Sequence, residues 1–109
     1  MVAGEIGSGK TTLLNSIMNE TIKKEGILEV KGKIAYVEQE PFIISGNIEE
    51  NITFGLEFNE EWFDHAISAS ALTRDMPNFA NGRKTMIGER GVNISGGQKA
   101  RISLARAIY

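Results

Sequence analysis

Apolar residues fall in short, differently spaced clusters along the chain, and the spacing of each cluster predicts its own element. Over residues 10–19, Leu13, Leu14, Ile17 and Met18 recur at the i, i+3, i+4 spacing of an amphipathic helix with one buried face. Residues 1–3 ahead of it read as the end of a strand running into a glycine-rich loop. Residues 26–30 and 33–37 are two short strand-like runs, and Lys31-Gly32 between them is a plausible tight turn. Residues 38–46 are loop-like, and Pro41, which has no N–H to give a ladder, ends the second run. From Asn47 the pattern becomes helical. Ile48 and Ile52 stand four apart, and Trp62, Phe63, Ala66, Ile67 and Ser70 form a second stripe after Glu60-Glu61, acids that suit the positive end of a helix dipole. Residues 78–91 are rich in loop formers, including Gly82, Gly88 and Gly91, and a last helix is predicted from about Gly96 to Ile108.

Composition limits what these elements can do. The 41% hydrophobic and 24% charged fractions are those of an ordinary globular protein, and the net charge of -2 offers nothing to a polyanion, so no nucleic-acid partner is expected. With no cysteine, disulfides and thiolate metal sites are excluded. No run of about 18 apolar residues is present, so nothing here is expected to span a bilayer, and the first residues lack the layout of a signal peptide. At 109 residues there is room for one domain at most. Glycine departs from the norm: 12 of 109 residues is about 11%, against a usual 7% or so. The glycines are clustered, and two of the clusters carry chemistry.

The first, Gly4-Glu5-Ile6-Gly7-Ser8-Gly9-Lys10-Thr11, satisfies G-x-x-x-x-G-K-[ST] between a strand end and an amphipathic helix. Several backbone N–H groups must converge on phosphate oxygens here, which calls for glycines that accept unusual dihedrals and leave room for the ligand. The helix start adds partial positive charge, Lys10 can reach the β- and γ-phosphates as a compact cation, and the Thr11 hydroxyl is placed to ligate Mg²⁺. A dinucleotide-binding reading fails, because Thr12 stands where the third glycine of G-x-G-x-x-G belongs. The chain is therefore expected to bind a nucleoside triphosphate.

The second cluster, Ser95-Gly96-Gly97-Gln98, lies 95 − 10 = 85 residues after Lys10 and opens another helix, with a hydroxyl beside free first-turn donors. Two anion-binding helix starts either face each other within one chain or meet across a dimer. Here the sequence resembles the ATP-binding cassette ATPases, whose signature L-S-G-G-Q corresponds to Ile94-Ser95-Gly96-Gly97-Gln98. The resemblance covers essentially the whole chain and extends to the subfamily C exporters, the multidrug-resistance-associated and cystic-fibrosis-channel group. "IAYVEQEPFIISGNIEENITFG" is similar to the family's glutamine loop and the start of its helical subdomain, with Gln39 at the position that ligates Mg²⁺ and senses the γ-phosphate. Gly88-Glu89-Arg90-Gly91 matches a loop that neighbours the transmembrane coupling helices. The short Lys10-to-Gln39 spacing resembles the first of the two nucleotide-binding domains in such exporters.

The resemblance implies an α/β fold: a P-loop NTPase (RecA-like) core with an inserted helical subdomain, truncated at both ends. Residues 1–46 would hold the P-loop and glutamine-loop part of the core, 47–94 the helical subdomain, and 95–109 the signature and its helix. It implies ATP and Mg²⁺ as cofactors, bound by Gly4, Gly7, Ser8, Gly9, Lys10, Thr11 and Thr12. Ser95, Gly96, Gly97 and Gln98 would contact the ATP of a second nucleotide-binding domain in a head-to-tail dimer. Lys10 and Gln39 carry the catalytic roles, and Thr11 and Gln39 hold the metal. The implied function is ATP binding and hydrolysis on the cytosolic face of a membrane, coupled to solute export through transmembrane coupling helices. The family's Asp-Glu strand, switch histidine and adenine-stacking aromatic would all lie outside residues 1–109, so the chain reads as a fragment, inactive alone and marginally stable, with exposed apolar surface. Two other readings stay open: a soluble cassette ATPase of translation or DNA repair, the latter disfavoured by 85 residues without heptads, and a degenerate domain that binds ATP only to regulate.

Other residues take plainer readings. His65, the only histidine, reads as a partly exposed helix residue; Trp62 and Phe63 as core of the helical subdomain; residues 34–38 as the strand feeding the glutamine loop. Lys99, Arg101 and Arg106 read as a mostly solvated face. Phe54 is either a core residue or, on the resemblance, an aromatic offered to a coupling helix.

Overall fold

The computed structural model describes residues 1–22, 24–89 and 91–109, which fall into two compact units, Met1–Ile34 and Ala35–Tyr109.

The first unit has one helix, α1, Lys10–Ile17. It ends two residues short of the predicted span, where Asn19 turns into the left-handed region and the Glu20 N–H reaches back to the Asn15 carbonyl at 2.8 Å. The predicted apolar stripe is present but uncovered: Leu13, Leu14 and Ile17 are 46%, 45% and 36% exposed. Among the described residues none before Gly46 is buried. The expected strands at 1–3, 26–30 and 33–37 form no ladder, so residues 34–38 carry no regular secondary structure. A strand exists only when a neighbour takes up its N–H and C=O groups, and no described segment does so here. The sheet of the expected α/β core is thus not formed within the described residues, whereas the expected exposed apolar surface is present, with Ile6, Ile22 and Ile27 almost fully exposed.

The second unit has a core. Asn47 caps α2, Ile48–Thr53, through a reciprocal box: its side chain accepts from Glu50 N–H at 2.8 Å, and Glu50 Oε2 accepts from Asn47 N–H at 2.9 Å. Asn59 caps α3, Glu60–Ala69, and the acids Glu60 and Glu61 lie in its first turn as predicted. Three 3₁₀ turns follow at Leu72–Arg74, Met76–Asn78 and Gly82–Lys84, and α4 spans Gly96–Ile108. The only ladder among the described residues pairs β1, Gly46–Asn47, antiparallel to β2, Met86–Ile87. Helix α4 packs on α2 and α3, burying Ile102 and Ala105 against Ile48, Ile52, Phe63, Ala66, Leu72 and Ile87.

The core assignment of Trp62 is corrected, and of the two readings of Phe54 the core one does not hold. Trp62 is 55% exposed, with its ring edge-on to His65 at 5.6 Å, while Phe63, Ala66, Ile67 and Ser70 are buried. At about 100° per residue Trp62 lies a quarter-turn from the centre of that face. Phe54 is 53% exposed and is not core. It closes α2 in the left-handed conformation (φ 46°, ψ 44°), its backbone N–H still bonded to the Glu50 carbonyl.

Candidate functional site

The glycine-rich loop of the first unit is shaped by two glycines. Gly7 (φ 83°) and Gly9 (φ 89°) occupy the left-handed region, which bends the chain tightly into α1 and leaves Gly9 as an N-cap without a side chain. The first helical bond runs from Leu13 N–H to the Gly9 carbonyl at 2.9 Å, so the N–H groups of Lys10, Thr11 and Thr12 precede the ladder, as the first donors of any helix do. The Lys10 ammonium curls back over the loop and donates to the Gly4 carbonyl (2.8 Å), the Glu5 carbonyl (2.6 Å) and Ser8 Oγ (3.3 Å). A Cβ on Gly4 would come within 2.7 Å of Ser8 Oγ, so a side chain there would turn the Ser8 hydroxyl away from its place beside Lys10. Gly7, Gly9, Lys10, Thr11 and Thr12 together line a cavity of about 200 Å³. The loop thus gathers a cation, a row of backbone donors and the Thr11 hydroxyl in one small concavity, a donor set suited to phosphate.

In the second unit the other predicted residues occupy two places. Gln39 is exposed in a bend. Ser95 caps α4 with its own reciprocal box: Ser95 Oγ accepts from Gln98 N–H at 3.2 Å, and Gln98 Oε1 accepts from Ser95 N–H at 2.9 Å. Ser95, Gly96 and Gly97 are exposed, and a Cβ on Gly96 would meet nothing within 4 Å, so the helix start opens onto free space. In the Gly88–Gly91 loop Arg90 lies outside the described residues; Gly88 has φ 88° and passes close to the Ser45 backbone.

Two arginines read from sequence as solvated are held by specific acceptors. Arg101 makes a forked pair with Asp75, Nε to Oδ2 at 2.6 Å and Nη2 to Oδ1 at 3.0 Å. That hydrogen bond, opposed by desolvation, holds the Asp75 carboxyl below the usual carboxylate range. Arg106 donates to the Asn51 carbonyl (2.7 Å), Asn51 Oδ1 (3.1 Å) and the Phe42 carbonyl (2.9 Å), with its guanidinium 4.8 Å from the Phe54 ring centre and 5.5 Å from that of Phe42. Burial pulls its pKa down from the ordinary value. Beside it a cavity of about 420 Å³ opens between residues 35–38, Phe42, Phe54 and Ser103. No local pattern could have revealed these partners, because they lie 26 to 64 residues away in sequence.

The model of the family described as "ABC transporter" matches residues 1–109. ABC transporter C family member 9 of Arabidopsis thaliana is 51% identical over 99% of this chain and 7% of its own length. Metal resistance protein YCF1 of Saccharomyces cerevisiae is 45% identical over 99% of this chain and 7% of its own length. ATP-binding cassette sub-family C member 4 of Homo sapiens is 44% identical over 99% of this chain and 8% of its own length. The chain therefore spans less than a tenth of the length of these three relatives. Since the match runs through both glycine clusters and all the sequence between them, the chain belongs to the ABC transporter family.

Proposed function

We propose that the chain is part of an ATP-binding and ATP-hydrolysing nucleotide-binding domain of a C-family exporter, acting at the cytosolic face of a membrane and coupling hydrolysis to solute movement. Family membership supports a P-loop NTPase fold and ATP as the ligand. The observation that carries the reading is the phosphate loop, where Lys10 Nζ sits 2.6 to 3.3 Å from three loop oxygens at the start of α1. Phosphate oxygens would replace those acceptors without the ammonium having to travel far. Gly7 and Gly9 keep the backbone donors exposed, and Ser8, Thr11 and Thr12 surround them.

Among the described residues no group of three or more His, Cys, Asp or Glu side chains could hold a metal ion. Mg²⁺ keeps several waters and leans on substrate phosphates, so few protein ligands need supply its shell. Thr11 and Gln39 are the side chains proposed to complete its shell, and the ion would neutralise charge on the phosphates. Ser95, Gly96, Gly97 and Gln98 would meet the ATP of a second nucleotide-binding domain, and the open space before Gly96 supports that role. The exposed Phe54 ring and the Gly88–Gly91 loop are the proposed contacts for transmembrane coupling helices. The short offset of 39 − 10 = 29 positions from Lys10 to Gln39 supports the first of two such domains.

The test is an ATP–Mg²⁺ titration of the full-length polypeptide and its Lys10→Ala variant. Charge-assisted phosphate contacts are worth about 1.5–3 kcal/mol each, so binding should weaken roughly tenfold to a hundredfold. Equal affinity in the two proteins would refute the phosphate-cradle reading.

A further inference from the structure

The buried carboxylate of Asp75 is not accounted for by ATP binding or by the core. It sits between two 3₁₀ turns, 7% exposed, its N–H bonded to the Leu72 carbonyl at 2.8 Å and its own carbonyl accepting from Asn78 N–H at 2.9 Å. Its side chain points at the start of α4. Oδ1 receives the Gln98 side-chain NH₂ at 3.4 Å, and both oxygens receive Arg101. Both of these partners follow the Ser95–Gly97 turn, in the first two turns of α4. The Arg101 guanidinium underlies Gly97, where an added Cβ would lie 3.4 Å from Nη1.

The chemistry of the Gln98 amide gives this arrangement a direction. Its oxygen accepts the Ser95 N–H, so its NH₂ must face the other way, and there it finds Asp75. Turning the amide over would set NH₂ against N–H and oxygen against a carboxylate that can only accept. Asp75 thereby selects the amide orientation that completes the cap. Within the cap, Ser95 Oγ is occupied as an acceptor by Gln98 N–H, which leaves its hydroxyl hydrogen for an acceptor in front of the helix.

We propose that Asp75 is a positioning residue for the signature turn: by orienting the Gln98 amide and pinning Arg101 beneath Gly97, it presents the Ser95 hydroxyl and the first-turn N–H groups to the partner domain's nucleotide. The proposal rests on the reading of Ser95 as a nucleotide contact. Asp75 itself touches no nucleotide and acts only through the turn.

The test compares steady-state ATP turnover of the full-length polypeptide carrying Ser95→Ala, Asp75→Asn or both. Asp75→Asn should lower kcat about tenfold, with the KM for ATP held within about twofold. The double variant should be no more than about twofold slower than Ser95→Ala, because the two residues act along one line. A merely structural role would multiply the two losses instead of merging them. A second arm leaves Asp75 intact: Gln98→Glu keeps an acceptor for the Ser95 N–H but sets two carboxylates face to face. Its kcat should fall, and adding Asp75→Asn, whose amide can donate, should raise it again. Full turnover in Asp75→Asn, multiplied losses in the double variant, or no recovery in the second arm overturns the role of Asp75. If Ser95→Ala alone leaves turnover unchanged, the nucleotide-contact reading falls and takes this proposal with it.

Discussion

Arg106→Met probes how α2 is held in the second unit. Helix α2 is six residues long, and Asn51 is one of the last-turn residues whose carbonyl finds no partner within the helix. Arg106 Nε supplies that partner at 2.7 Å, and its cation stands at the negative end of the helix dipole. Asn51 is fully buried, so water cannot replace the lost donor. A methionine keeps much of the aliphatic stem but leaves this acceptor unsatisfied, at a cost of about 1–3 kcal/mol. Losing the cation over the Phe54 and Phe42 rings costs roughly another 0.5–1 kcal/mol each. Relief of the guanidinium's own desolvation offsets part of this, leaving a net loss of about 2–3 kcal/mol. For a domain of this size that lowers the thermal midpoint by roughly 10–20 °C. Arg106→Lys should recover only part of it, since an ammonium lacks the planar fork that serves Asn51 and Phe42 together. Thermal unfolding followed by circular dichroism measures both variants. An Arg106→Met protein within about 0.5 kcal/mol of the parent would show that α2 does not depend on this cap.

Gly91→Ala should cost more than about 2 kcal/mol in urea unfolding, because the new Cβ would collide with the Met86 carbonyl and the Ile87 nitrogen, where Val92 N–H bonds to that same carbonyl at 2.8 Å. Stability should also depend on pH through Asp75. Its folded pKa is depressed, so its contribution is present in full above the unfolded-state value and is lost as pH falls through the folded one. The gap in urea midpoint between the parent and Asp75→Asn should be widest at neutral pH and close in acid; a gap that stays constant or widens in acid would refute the Asp75–Arg101 linkage.

Much of the second unit was legible because its helices announce themselves locally. The Asn47 and Glu50 pair, Asn59 before Glu60 and Glu61, and Ser95 before Gln98 are cap signals that work over three or four residues, and each stands at a helix start. The Ile48–Ile52 and Phe63–Ala66–Ile67–Ser70 spacings point inward as expected, apart from Trp62 at the edge of its stripe. Strands are different, because they depend on a partner that may come from anywhere. Runs at 26–30 and 33–37 have strand composition yet no neighbour among the described residues, and stay unpaired.

By itself, then, the sequence determined the glycine-rich loop before α1, the Ser95–Gln98 cap and the helices that follow them, since dihedral freedom at glycine and a capping hydroxyl act within a few residues of one another. Only the tertiary structure decided that Arg101 and Arg106 are held rather than solvated, and that Asp75 stands behind the Ser95–Gln98 cap. A charge's role is set by the acceptors it meets in space, and those come from segments the linear pattern keeps far apart.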